Sequence, residues 1–107
     1  MQQISATELA RLLEEPGAEA IQLLDVREDW EFEIGHLPAS AHVPMQRSPA
    51  ELDRFDPRRP VVCICHHGMR SMQVAMFLSH HGFERVLNLA GGIDAWSREV
   101  DPACPAY

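Results

Sequence analysis

The residues most able to do chemistry stand together as Cys65-His66-His67-Gly68-Met69-Arg70-Ser71. A thiol placed where a buried strand gives way to a helix sits at a point on which loop amides and the positive end of the helix can both converge. Such a position favours a thiolate, which makes Cys65 a candidate nucleophile. Gly68 supplies the backbone freedom of a tight loop, and Arg70 offers a planar fork of donors for an oxyanion. His66, His67 and Met69 complete the loop. The competing reading is a small buried hydrophobe at a strand end with two histidines solvating a turn.

The surrounding elements follow from periodicity and caps. Ser5 with Glu8 forms a capping box, with Ile4 and Leu9 at the staple positions and Leu12 and Leu13 continuing the apolar face until Pro16 and Gly17. Residues 20–26 read as a buried strand that brings Asp25 to its C-terminal end. Residues 28–34 suit a short helix with a solvated acidic face, ended by Gly35, and residues 41–44 a brief strand. Ser48, Pro49 and Glu51 repeat the capping pattern before a helix reaching about Phe55. Val61 to Ile64 reads as a central strand buried on both faces, directly before Cys65. A helix then runs from Ser71 to Gly82, a strand from Val86 to Leu89 and a helix from Ile93 to Arg98. Residues 101–107 form a tail.

Strands separated by helical stretches imply an α/β class, with a central, mostly parallel sheet and helices on both faces. Sites in such sheets lie at the C-terminal ends of the strands. That edge is where Asp25, Arg27 and Cys65 fall. Arg27 is expected to pair with Asp25, Glu28 or Glu33 and to brace the loop from behind.

Composition narrows the functional classes. The 107 residues suit one domain, and 46% hydrophobic content suffices for a core. A formal charge of -7 opposes nucleic acid and anionic lipid. All nine basic side chains are arginines, which excludes Schiff-base and phosphate-loop lysines. No apolar run reaches membrane-span length and no leader pattern opens the chain, so a cytoplasmic location without membrane contact is expected.

Three cysteines argue against a disulfide framework. Cys63 and Cys65 have no second ligand pair at zinc-site spacing, so no metal is expected. Cys63 reads as inert core and Cys104 as an incidental thiol in a loosely held tail. Trp30 and Trp96 read as packing aromatics, and His36 and His42 as structural. His80 and His81 are favourable charges at a helix C-terminus.

These residues resemble the single-domain rhodanese, or sulfurtransferase, family. Cys65, Gly68 and Arg70 match its loop of cysteine, two variable residues, glycine, one variable residue and arginine. Leu24-Asp25-Val26-Arg27-Glu28 with Gly35-His36-Leu37-Pro38 is similar to its upstream signature, and Gly91-Gly92-Ile93-Asp94-Ala95-Trp96 to its downstream one. The chain departs from the family at Ala39-Ser40-Ala41, where a glycine-alanine pair is more usual, in a surface turn.

The resemblance implies that Cys65 takes sulfane sulfur from thiosulfate or a similar donor as a persulfide and passes it to cyanide or a thiol. Backbone amides of residues 66–70 would hold the charge, and Arg70 the sulfonate of the donor. No cofactor is implied, and the partners are a small donor and acceptor, with a protein thiol as a further acceptor; a monomer is expected. A persulfide carrier serving a partner pathway uses the same residues. A cysteine-dependent phosphatase fits less well, because its loop has one residue more and a general-acid aspartate, which this loop lacks.

Overall fold

The computed structural model describes residues 1–105. The two last residues of the expected tail, Ala106 and Tyr107, lie outside the described residues, as do the side chains of Ser48 and Pro49 on which the second capping pattern rests.

Among the described residues the chain forms five parallel strands and four α-helices, with 3-10 segments at Ala18–Ala20 and Met45–Arg54. They follow one another as β1 (Gln2–Ile4), α1 (Ala6–Glu14), β2 (Gln22–Asp25), α2 (Asp29–Ile34), β3 (Ala41–His42), β4 (Val61–Ile64), α3 (Met69–Ser79), β5 (Val86–Leu89) and α4 (Gly92–Glu99). The strands lie in the order β1-β5-β4-β2-β3, all paired parallel. β4 sits at the centre with every residue buried, as its β-branched run requires.

Alternation along the strands divides the core in two. Leu23, Val62, Ile64, Leu87 and Leu89 face α1 and α4, where they meet Leu9, Ile93 and Trp96. Leu24, Val61, Cys63 and Val86 face the other way, against Val74, Ala75 and Leu78 of α3 and Phe55. Helices therefore cover both faces. Each fully buried leucine or isoleucine contributes about 1.5–3 kcal/mol, so the two layers hold the sheet rigid beneath the loops that follow its strands.

The capping box at α1 forms, with the Ser5 hydroxyl accepting from Glu8 N at 3.1 Å and Glu8 Oε1 accepting from Ser5 N at 2.9 Å. Four expectations need correction. Residues 2–4, of which the sequence assigns only Ile4 a place, as the staple residue before α1, form edge strand β1, whose three residues are too few to show alternation. The helix expected up to Phe55 is a 3-10 run over Met45–Arg54, kinked at Glu51. Trp30 is 51% exposed and does not pack in the core. Cys104 is buried in the α1/α4 layer, because Cys104 N donates to Asp101 O and Asp101 N to Trp96 O, folding the tail inward. No helix among the described residues is long and apolar enough to cross a membrane.

Candidate active site

Cys65 immediately follows β4, and α3 begins at Met69, two residues earlier than its apolar pattern predicts. The turn between them depends on Gly68, which caps α3 at φ +99 and whose Cβ position would lie 3.1 Å from Leu89 O. An L side chain there meets both a disfavoured backbone region and a neighbouring strand. The turn delivers the Gly68 N–H to Cys65 Sγ at 3.0 Å, and the Ser71 hydroxyl lies 3.3 Å from the same sulfur. Of the loop amides expected to converge on the thiol, Gly68 makes the contact.

The loop is also held from below and from the side. Ser71 Oγ forms a short hydrogen bond with Asn88 Oδ1, while Asn88 Nδ2 donates to Gly68 O and Gln3 Oε1, each at 3.0 Å. The start of α4 closes the other side: Ile93 N donates to Cys65 O at 2.8 Å and Asp94 N to His66 O at 3.1 Å. These contacts need a bare backbone at Gly92, since a Cβ there would lie 2.3 Å from Cys65 O and 2.4 Å from His66 O.

Asp25 and Arg27 form an ion pair with both side chains fully buried. Arg27 Nη2 donates to Asp25 Oδ2 at 2.8 Å and to Gly35 O at 2.6 Å, and Arg27 Nε and N each donate to Asp25 Oδ1 at 3.0 Å. Glu28 and Glu33, the other expected partners, are not the ones used. His42 Nε2 meets Arg27 O at 2.7 Å, and Phe32 stacks between His36 and His42, so both histidines are packing elements of the α2 region.

The acidic face expected on α2 is only partly solvated. Glu31 is 3% exposed and forms a two-pronged pair with Arg70, Nη1 to Oε1 at 2.6 Å and Nη2 to Oε2 at 2.9 Å. The Arg70 hydrogen bonds hold the Glu31 carboxyl below its usual range. They also raise Arg70 further above its ordinary value.

The remaining loop side chains point outward, with Met69 72% exposed and the His67 side chain 62% exposed. His66 is half-buried, with its ring edge-on to His67. The three thiols differ in their surroundings. Burial, and then the neighbouring Cys65, push Cys63 up to about 12, and burial raises Cys104. Cys65, itself 1% exposed, is the thiol that receives the amide and hydroxyl contacts. A cavity of about 760 Å³ lies away from this loop, near Leu13, Ile21, Leu37 and Trp96.

Asn88, Gln3 and Glu31 are the site residues that sequence reasoning missed, and Ser71 is named there in the loop without a role. Asn88 carried a usable signal, a lone polar residue in the otherwise apolar run from Val86 to Leu89. Glu31 carried none, because its partner lies on a different helix.

The arrangement is a buried thiol cradled by an amide and a hydroxyl and flanked by a braced arginine, at the C-terminal edge of a parallel sheet. Comparison with known proteins places the chain in a family. The family model described as Rhodanese-like domain matches residues 5–99. The chain is 41% identical over 90 residues to Rhodanese-like/PpiC domain-containing protein 12, chloroplastic, of Arabidopsis thaliana, covering 80% of this chain but 30% of that protein. It is 34% identical over 105 residues to Thiosulfate sulfurtransferase GlpE of Actinobacillus pleuropneumoniae, covering 98% of this chain and 94% of that one. The crystal structure of a rhodanese-like domain protein from Staphylococcus aureus superposes with a TM-score of 0.86 at 30% identity, covering 98% and 97% of the two chains.

Proposed function

The chain belongs to the rhodanese-like domain family, and on that premise we propose that it is a sulfurtransferase moving sulfane sulfur from thiosulfate to a thiol or cyanide through a persulfide on Cys65. The observation that carries this reading is the contact of Gly68 N–H with Cys65 Sγ at 3.0 Å, in a turn that both φ and packing reserve for glycine. The name of the full-length relative, thiosulfate sulfurtransferase, supports the choice of donor.

In the first step the Cys65 thiolate attacks the outer sulfur of thiosulfate. A new S–S bond forms, the bond to the sulfonate sulfur breaks, and sulfite leaves with that electron pair. In the second step cyanide or a thiolate attacks the outer sulfur of the persulfide, and Cys65 departs as the thiolate. Charge on sulfur persists throughout, so preorganised donors are the chief catalytic need, and each key donor is worth about 2.7–4 kcal/mol in comparable oxyanion sites. The Gly68 amide supplies such a donor here, while the Ser71 hydroxyl, whose proton is given to Asn88 Oδ1, lines the sulfur at 3.3 Å. Arg70 draws the anionic donor in, and its pairing with Glu31 fixes where the guanidinium stands. Burial of Cys65 selects small donors.

Incubation with thiosulfate should add one sulfur to the peptide containing Cys65, and Cys65→Ser should abolish both that adduct and thiocyanate formation. Sulfur found on Cys63 or Cys104 would overturn the assignment. Turnover compared on thiosulfate, a small organic persulfide and an aryl phosphate separates a thiosulfate enzyme, a persulfide carrier and a phosphatase.

A further inference from the structure

The loop after the nucleophile carries a second set of donors, the side chains of His66 and His67, that sulfur transfer does not require. Among the described residues, His66, His67 and Asp94 each bring a ligand atom to within 4.8 Å of the others. His67 Nε2 stands 3.9 Å from Asp94 Oδ2, and the two imidazoles meet edge to face with centroids 4.0 Å apart. The backbone enforces this meeting. The Ile93 and Asp94 amides dock on Cys65 O and His66 O, and the bare Gly92 lets α4 come that close. The two elements are thus locked together with Asp94 beside both rings. Its side chain is 31% exposed and that of His67 62%, so the cluster opens to solvent on one side.

We propose that His66, His67 and Asp94 form a binding site for a borderline-soft divalent transition-metal ion, of which Zn²⁺ is the type, beside the Cys65 loop. Two imidazoles and one carboxylate are a donor set that such ions take, with water filling the open position. Donor atoms on one tetrahedral zinc stand about 3.4 Å apart, given bonds of about 2.0–2.1 Å. The observed spread of up to 4.8 Å must then close by about 1.4 Å at most, a side-chain rotation open to the largely exposed His67. Arg98 Nη2 approaches Asp94 Oδ2 at 3.2 Å. That pair is exposed, of a kind that holds weakly, so a divalent ion can displace it. The sequence expectation of no metal missed the site because Asp94 belongs to another element, far along the chain from the histidines. The site stands whether or not Cys65 carries sulfur.

The test is calorimetric titration of the reduced, full-length protein with Zn²⁺, paired with absorption spectra of the Co²⁺ form. The proposal expects one ion per chain, and an affinity about ten-fold or more weaker in each of Asp94→Asn and His67→Gln, since even a partner outside the ligand shell costs that much. Circular dichroism verifies that both variants are folded. Cys65→Ser should bind as the wild type does, and Co²⁺ should show d–d bands without a thiolate charge-transfer band. The proposal is overturned if the wild type takes up no ion, if either ligand variant binds unchanged, or if Cys65→Ser loses the ion.

Discussion

Arg70 and Glu31 join α3 to α2 through two parallel hydrogen bonds of 2.6 and 2.9 Å. Glu31 Oε1 also accepts from Glu28 N at 3.1 Å, so one carboxylate caps α2 and anchors the arginine of the loop. The guanidinium is about one-third exposed, and its position is set by a partner on the opposite side of the loop.

Arg70→Ala should raise KM for thiosulfate by about ten- to a hundred-fold, the worth of a lost charge-assisted hydrogen bond of about 1.5–3 kcal/mol. A neutral persulfide donor should be affected much less. Equal losses with both donors in steady-state kinetics would show that Arg70 supports the loop without meeting the sulfonate.

Glu31 makes stability depend on pH in a definite direction. Its carboxyl is held below the usual 4.5, chiefly by the Arg70 hydrogen bonds, so it binds its proton less readily folded than unfolded. The resulting stabilisation is fully present above that value and is lost as pH falls through the lower folded-state value. Urea unfolding at stepped acidic pH should show a shallower decline for Glu31→Gln than for the wild type. Identical slopes would refute the coupling.

Asp25→Ala leaves the Arg27 guanidinium fully buried without its carboxylate and should cost about 3–5 kcal/mol. Replacing both partners by apolar residues, Asp25→Leu with Arg27→Met, should cost less than either single change. Urea midpoints of Asp25→Ala, Arg27→Met and the double variant measure this.

Alkylation of the native protein with a small reagent at mildly alkaline pH should label Cys65 well before Cys63 and Cys104. Burial raises both of the latter, Cys63 to about 12, so little of either is thiolate there. Peptide mass mapping at short times identifies the labelled residue. Faster labelling of either other thiol would contradict the prediction.

Ala39 adopts φ +65 in the turn closed by Ser40 N on Leu37 O at 3.2 Å. With Pro38 before it, this is the position where a type II turn asks for glycine, and where the chain departs from the family. Ala39→Gly should raise stability by about 0.5–1 kcal/mol, the relief of a left-handed alanine of about 1–2 kcal/mol less the greater freedom of unfolded glycine. A lower thermal midpoint would show that the alanine is unstrained.

Contiguous residues determined what the sequence could show by itself. The β-branched run into Cys65, the glycine and arginine after it, and the Ser5 capping box are local patterns whose physics acts within one or two turns of chain. They located four of the five strands of the described residues, most helices and the Cys65 loop. What only the tertiary structure decided are the partners: Glu31 for Arg70, Asn88 beneath Ser71, Asp94 beside the two histidines, and the burial of Cys104. Periodicity tells which face of an element turns inward. It does not tell which residue on another element that face will meet, because the meeting depends on strand order and on how closely backbones approach at Gly68 and Gly92.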